Sequence, residues 1–275
     1  ESKTNGAVVV QLYPSGQLGG DADLINSIAL DSGTVDIIIT DASNFATYEP
    51  KMGISALPFQ FADFEEAWAF MDSDIEAEAE AGLIPQNMRV LAHYCNGFRC
   101  VTNSKGPVNS PDDMKGLKIR VMESPLYIEM FTEMGANPSP MAFSELYTAL
   151  QQGTVDGQDN PWTIVSTNAF YEVQSYATDL SHTFDITCFS INDKFYQDLP
   201  DDLREVVDKA AEAAVETNRT LSIELENEYI ATIEGGGCQI TRLTDEQRQV
   251  FRDATAGCYD WFRQNYNPTV SLETI

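Results

Sequence analysis

The tetrapeptide Gly33-Thr34-Val35-Asp36 recurs 120 residues further along the chain as Gly153-Thr154-Val155-Asp156. Each copy ends a helical segment with its glycine and is interpreted as the start of an inner strand. Glycine just after a helix commonly adopts the left-handed conformation that ends it. The repeat therefore predicts two similarly built α/β lobes. Because such lobes bind ligands beyond the carboxyl ends of their strands, the segments after Ile39 and Val155 are expected to face one shared cleft.

Around this repeat, strand-like and helix-like segments alternate, which is typical of the α/β class. The pattern predicts strands at 8–13, 35–39, 89–94, 98–102, 118–121 and 183–191, and helices at 21–32, 64–71, 74–83, 125–134, 144–152 and 163–169. The continuous β-branched run at 35–39 favours a strand buried on both faces of a mainly parallel sheet. Gly33 is expected to end the helix that begins at Asp21.

Residues 200–234 have helical periodicity throughout, and the Gly235-Gly236-Gly237 triplet ends the pattern. A helix of this length spans about 50 Å, at about 1.5 Å per residue, which is more than one lobe needs. We interpret it as a helix that runs across both lobes. A coiled coil is the alternative, but strict heptads are not sustained.

The chain is strongly acidic, with 43 Asp and Glu against 16 Lys and Arg and a formal net charge of −27. A surface of this charge repels phosphate backbones, so nucleic acid is not an expected partner. No apolar run reaches the roughly 20 residues of a membrane span, so the chain is not expected to cross a membrane. A basic segment followed by an apolar one does not occur either, which implies that any signal peptide has been removed or left out.

The chain carries no recognisable catalytic or metal-binding pattern, so we expect no enzyme activity, no cofactor and no metal. His93 and His182 are the only histidines, and neither lies beside a plausible nucleophile. His93 is expected to be structural, whereas His182 is either structural or a ligand contact. The five cysteines lack metal-ligand spacing. They are interpreted as buried thiols, with a Cys238–Cys258 disulfide as the alternative.

Several motifs stand together between residues 89 and 185. They include Lys118-Ile119-Arg120-Val121, Met141-Ala142-Phe143-Ser144 and Val155-Asp156-Gly157-Gln158-Asp159-Asn160-Pro161. With Leu18-Gly19-Gly20 and Leu57-Pro58-Phe59 upstream, the chain resembles the solute receptors of tripartite ATP-independent periplasmic (TRAP) transporters, in the dicarboxylate-receptor branch. The resemblance covers essentially all 275 residues. It implies a two-lobed periplasmic solute-binding-protein fold, α/β in class, with the ligand held between the lobes.

The resemblance also implies how the ligand is held. Arg120 would make a paired contact with a ligand carboxylate, for which the planar guanidinium offers two parallel donors. Arg99 would support the same anion, Asn160 would hydrogen-bond the ligand, and Phe143 would form an apolar wall. A less secure set, at positions where family members differ, comprises Trp162, Thr40, Asp41, Ser43, Glu123 and Asp185.

The function implied is that of a receptor, expected to be monomeric, that binds a small organic acid and delivers it to TRAP membrane permease subunits. The acid would be a sugar acid such as a uronate, or a four-carbon dicarboxylate. The expected location is the periplasm. If the source lacks an outer membrane, the receptor is expected to be extracellular and anchored to the membrane. An enzyme acting on an acid and a sensor-type binding module are the competing hypotheses.

The expected lobes are residues 1–97 with 185–225, and residues 98–184 with 226–275. Mature members of the family usually have about 30 further residues, a strand and most of a helix, before the match to Thr4-Asn5-Gly6. The resemblance therefore implies that this first strand and helix are missing from the sequence.

Overall fold

The computed structural model describes residues 2–266, which form eight strands and twelve α-helices. The strands are β1 (Ile37–Asp41), β2 (Met88–Asn103), β3 (Lys118–Val121), β4 (Asn137–Pro140), β5 (Gly157–Pro161), β6 (Tyr176–Asp179), β7 (Phe184–Asn192) and β8 (Gln239–Arg242). The helices are α1 (Asp21–Ala29), α2 (Phe64–Met71), α3 (Asp74–Ala81), α4 (Pro111–Met114), α5 (Pro125–Glu133), α6 (Phe143–Gln152), α7 (Trp162–Thr167), α8 (Asp193–Asp198), α9 (Asp201–Glu224), α10 (Glu226–Gly235), α11 (Asp245–Ala254) and α12 (Gly257–Asn265). Short 3-10 segments, among them Ala42–Thr47 and Pro50–Ala56, fill several connections.

All eight strands form one mixed sheet in the order β1-β7-β2-β5-β3-β4, with β6 pairing β2 and β8 pairing β6. The predicted α/β class and two-lobed architecture are confirmed, but one detail is corrected. β3 pairs in parallel with β4 and β5, whereas β1, β7 and β2 pair antiparallel to one another. The first-lobe sheet is therefore not mainly parallel, because its central strand β7 enters from far along the chain in the opposite direction.

Strand β2 is the element that joins the two halves of the sheet. Residues 88–98 pair with β7, and residues 99–103 pair with β5. The register shifts between Cys95 and Gly97, where Gly97 has a φ of +97°. The two predicted strands at 89–94 and 98–102 are thus one continuous strand with a bulge between them, since a bulge bends a strand and pairing resumes on its far side.

The expected strand at 8–13 is wrong. Residues 9–14 form no strand, and the side chains of Val9, Val10, Leu12 and Tyr13 are between 52% and 84% exposed. An apolar run gains little from a strand conformation unless a neighbouring strand and a core cover it.

Two further details near the repeat also differ from expectation. α1 ends at Ala29 rather than at residue 32, because Asp31 takes the left-handed conformation. The amide of Asp31 donates to the carbonyl of Ile28, and the amide of Ser32 donates to the carbonyl of Ser27. β1 begins at Ile37 and is not buried on both faces, since Ile39 is 56% exposed. The second copy behaves as expected, with left-handed Gly153 ending α6 before the fully buried β5.

The long helix predicted over residues 200–234 is confirmed, with one interruption at Leu225 between α9 and α10. α9 packs against β2 near Cys95. The backbone amide of Cys95 donates to the side-chain oxygen of Asn218, and the side-chain amide of Asn218 donates to the carbonyl of Cys95. α10 packs against α7. The two helices together therefore reach from one half of the sheet to the other.

The apolar interior forms two clusters. The larger one spans α1, the 3-10 segments, β2, α5 and α12, and the smaller one lies among α6, α7 and α10. The hydroxyl of Tyr259 in α12 donates to the carbonyl of Pro58 at 2.9 Å, which ties α12 to the segment before α2. The division of the chain into two lobes at the expected residue boundaries stays a prediction.

All five cysteines are buried and carry free thiols. The Cys238–Cys258 disulfide held open as an alternative is therefore not formed. Over residues 2–266, none of the helices combines the length and the apolar character that crossing a membrane requires.

Candidate ligand-binding site

Arg120 is the last residue but one of strand β3 (Lys118–Val121), and it is only 2% exposed. Its Nε and Nη2 both donate to the carbonyl of Met141, at 2.9 and 2.7 Å. Within residues 2–266 it forms no ion pair with a carboxylate. Burial lowers the pKa of Arg120 to about 10, although nearby Asp159 opposes that shift. Arg120 is thus a buried cation that remains charged at neutral pH and lacks a close counter-ion.

A cavity of about 280 Å³ lies against Arg120. The residues around it come from α1, the 3-10 segment after β1, the end of β3 and the loop before α6. They are Asp21, Ala22, Ile25, Asn26, Asn44, Thr47, Tyr48, Arg120, Met122, Glu123, Met141 and Ala142. The lining combines carboxylates, amides and one phenol with apolar side chains, which is the composition of small-molecule sites.

The predicted residues Glu123, Thr40 and Phe143 lie at or beside this cavity. Glu123 lines it, and Thr40 donates its hydroxyl to the lining carboxylate of Asp21 at 2.8 Å. Phe143 is the first residue of α6, and the centre of its ring lies 5.9 Å from the guanidinium carbon of Arg120. The aromatic face therefore supports the arginine from one side.

Arg99, unlike Arg120, is paired with carboxylates. It is 1% exposed, and its Nε donates to the Asp159 carboxylate at 2.6 Å while its Nη1 pairs with Asp185. Its Nη2 donates to the Asp159 carbonyl at 2.8 Å. Two carboxylates thus neutralise Arg99, and most of its donors are occupied. The geometry assigns Arg99 to a buried network with Asp159 and Asp185, none of which lines the cavity.

Asp159 and His182 are members of the same network, and their pKa values are shifted by their neighbours. Burial alone would raise the pKa of Asp159, but Arg99 and His182 outweigh it and lower the pKa to about 2. Nε2 of His182 lies 3.3 Å from the same carboxylate, and burial lowers the pKa of His182. His182 is fully buried, so it belongs to the network rather than to the cavity wall.

Asp41 ends β1 and caps the 3-10 segment Ala42–Thr47, which contains Ser43. The Asp41 carboxylate accepts from the amide of Ser43 at 2.8 Å and from its hydroxyl at 2.5 Å. Burial, together with the charge of Asp185, raises the pKa of Asp41 to about 7, against the opposing effect of Arg99. Asp41 therefore lies near the Arg99 network, as expected for segments that meet at one cleft.

Asn160 and Trp162 lie on either side of Pro161, where β5 passes into α7. The side-chain amide of Asn160 donates to Gln158 at 2.5 Å, and its oxygen lies 3.5 Å from Nη2 of Arg99. Trp162 is 4% exposed within the smaller apolar cluster. Neither side chain lines the 280 Å³ cavity.

The ten predicted residues thus fall into three groups. Arg120 and Glu123 line the cavity, with Thr40 and Phe143 beside them. The buried network contains or adjoins Arg99, Asn160, Asp41, Ser43 and Asp185, and Trp162 lies in the apolar core. Their direct contact with a ligand stays a prediction. Sequence reasoning missed Asp21 and Asn44, which line the cavity, and Asp159, which neutralises Arg99. Asp159 precedes Asn160 in the motif at residues 155–161, but an acidic residue in so acidic a chain gives no separate signal.

The sequence model described as "Bacterial extracellular solute-binding protein, family 7" matches residues 1–265, and the chain belongs to this family of TRAP solute receptors. The chain is 33% identical over 254 residues to the 2,3-diketo-L-gulonate-binding periplasmic protein of Escherichia coli, covering 92% of this chain and 76% of that protein.

Solved structures give the same result. A TRAP periplasmic solute-binding protein from Polaromonas, bound to D-erythronate, matches with a TM-score of 0.91 and 32% identity, covering 97% of this chain and 87% of that one. A counterpart from Shewanella oneidensis, with bound succinate, matches with a TM-score of 0.91 and 28% identity, covering 96% and 86%. Both kinds of acid anticipated from the sequence therefore occur among the relatives.

Proposed function

We propose that this chain is the extracytoplasmic receptor of a TRAP transporter and binds a small organic acid by its carboxylate. The observation that supports this is the state of Arg120, a buried guanidinium without a close counter-ion that borders a cavity. A carboxylate on the ligand would supply the missing charge. The guanidinium could receive it through two parallel hydrogen bonds, which a lysine could not provide.

The cavity lining favours a sugar acid over a four-carbon dicarboxylate. Asp21 and Glu123 face the same cavity as Arg120, so a second carboxylate on the ligand would meet like charge there. Hydroxyl groups, in contrast, could donate to these carboxylates and to the side-chain oxygens of Asn26 and Asn44. A dicarboxylate remains the alternative ligand, as in the Shewanella relative with bound succinate.

The remaining parts of the proposal follow from family membership. The receptor would act in the periplasm as a monomer, without a cofactor and without catalysing a reaction. Closure of the two lobes around the ligand would be a hinge motion about the strands that join them, of which β2 is the longest. The closed form would then deliver the acid to the membrane permease subunits.

Thermal unfolding in the presence of candidate acids tests this proposal. D-Erythronate, D-glucuronate, D-galacturonate and succinate are compared at matched ionic strength, with erythritol as a control that lacks the carboxylate. A ligand at 100 times its Kd should add about 2.7 kcal/mol of stability. That corresponds to a rise in Tm of several degrees for a chain of this size.

We expect a sugar acid to raise Tm and erythritol to leave it unchanged. An absence of any shift across all four acids would contradict the anion-binding proposal. Succinate raising Tm more than every sugar acid would overturn only the preference for sugar acids. Proton NMR of the acid recovered after incubation checks the receptor assignment, because any conversion of the acid would support an enzyme instead.

A further inference from the structure

A second cluster of chemistry-bearing side chains lies away from the arginines, between α3 and β2. Glu76 and Glu80 are one turn apart on α3, so both carboxylates lie on the same face of the helix. His93 of β2 faces them, with Nε2 at 2.8 Å from Glu80 and 3.5 Å from Glu76. One ligand atom from each of the three residues lies within 4.8 Å of the other two.

Glu76 is the member of this cluster that needs a partner. It is 1% exposed, and over residues 2–266 neither of its carboxylate oxygens accepts a hydrogen bond. A buried carboxylate without a donor is costly. Nε2 of His93 carries at most one proton and lies closer to Glu80 than to Glu76. It therefore cannot donate a full hydrogen bond to each of the two carboxylates. A divalent cation would neutralise both carboxylates and also accept the lone pair of the imidazole.

Strand pairing places His93 opposite Cys188 of β7, which is its direct cross-strand partner. The same strand β2 presents Nε2 of the imidazole to the two carboxylates of α3. The histidine is therefore aimed at the two glutamates.

The cluster also has an entrance. Glu80 and His93 line a cavity of about 260 Å³, together with Asp72, Glu212 and Arg219. Arg219 does not neutralise the glutamates, because its Nη1 and Nη2 donate to the Asp72 carboxylate at 2.9 and 2.6 Å. A hydrated ion could therefore reach the cluster through an acidic opening.

We propose that Glu76, Glu80 and His93 bind a divalent transition-metal ion of the Zn²⁺ type. One imidazole nitrogen and two carboxylate oxygens make a donor set that suits zinc, with water completing a tetrahedral shell. Calcium and magnesium prefer shells made of oxygen alone. The bound ion would connect α3 to β2 and would bind only the folded chain, so it would stabilise the receptor.

The test uses the full chain after removal of metals by a chelator. Isothermal titration with ZnCl₂ is compared with CaCl₂, and Tm is measured with and without each ion. The variants are Glu80→Gln, Glu76→Gln and His93→Gln. Glu78→Gln is the matched control, because Glu78 lies on the same helix but pairs with Lys51 at the surface.

We expect one Zn²⁺ per chain, a higher Tm with Zn²⁺ than with Ca²⁺, and affinity at least 10-fold weaker in Glu80→Gln than in Glu78→Gln. Glu80 is the primary variant because its side chain is 25% exposed, so its replacement should leave the fold intact even if Glu76→Gln does not fold. The absence of saturable zinc binding would overturn the proposal. Equal affinity in Glu80→Gln and the parent would overturn it too, because zinc would then bind elsewhere on the acidic surface. Organic-acid binding is measured separately, so either proposal can fail without the other.

Discussion

Arg99 and Arg120 are both almost completely buried, yet they differ in what surrounds them. Arg99 pairs with the carboxylates of Asp159 and Asp185, whereas the hydrogen bonds of Arg120 go to the neutral carbonyl of Met141. Removing a partner from a buried ion pair typically costs about 3–5 kcal/mol of stability. Arg99 is therefore expected to matter mainly for folding, and Arg120 mainly for binding.

At the residue scale, we predict that Arg120→Lys weakens binding of the organic acid by about 10- to 100-fold. The charge is retained, but the two parallel donors are lost, and a hydrogen bond to a charged group contributes about 1.5–3 kcal/mol. Calorimetric titration of the best acid from the thermal screen measures the effect. Arg242→Lys, in an exposed pair with Glu234, is the control and should bind as the parent does. An unchanged Kd in Arg120→Lys would show that the anchor has been misassigned.

At the element scale, β5 is the strand on which both halves of the site depend. It lies between β2 and β3 and carries Asp159 and Asn160, while β3 carries Arg120. Gly157 begins β5 at a point of close backbone approach. A Cβ at this position would lie 2.2 Å from the carbonyl oxygen of Thr102 and 3.0 Å from Cδ1 of Ile119.

We therefore predict that Gly157→Ala destabilises the protein by about 2–3 kcal/mol, since overpacking against a fixed backbone forces the strands apart. Urea unfolding followed by circular dichroism measures the change. Gly106→Ala is the matched control, because nothing lies within 4 Å of a Cβ built at Gly106. If Gly157→Ala unfolds at the same urea concentration as Gly106→Ala, the close packing of β5 is not as described.

At the scale of the whole molecule, the net charge of −27 exerts a repulsion that no single ion pair offsets. Like charges at a surface repel one another over about 10 Å at 0.1 M salt, and added salt screens them. We predict that Tm at pH 7 rises by several degrees between about 20 and 500 mM NaCl. This range moves the screening length from beyond the spacing of surface charges to well below it.

Scanning calorimetry over the NaCl series measures this effect. The control is the same series at lower pH, where the salt effect should shrink as the net charge falls towards zero near the pI of about 4.1. A Tm at pH 7 that stays constant or falls with added NaCl would mean that surface repulsion does not limit stability. The protein would then tolerate its charge because its acids lie far enough apart.

Local sequence determined much of the fold. The helix Phe64–Met71 and the strand Lys118–Val121 have the boundaries that the sequence predicts. Asp63 caps that helix by accepting from the amide of Glu66 at 2.9 Å, an interaction between neighbours in sequence. The combination of motifs also identified the family, because each motif is a contiguous run of residues.

Only the tertiary structure decided how the strands pair and which charges meet. Residues 8–13 have a strand-like sequence but form no strand, and Asp31 rather than Gly33 ends α1. Asp159 is 60 residues from Arg99 in sequence, and Glu76 is 17 residues from His93, yet each pair lies in contact. Periodicity and capping depend on neighbours along the chain and can be predicted from them. The counter-ions that neutralise Arg99, and the lack of a close one at Arg120, depend on contacts that exist only after distant segments have packed together.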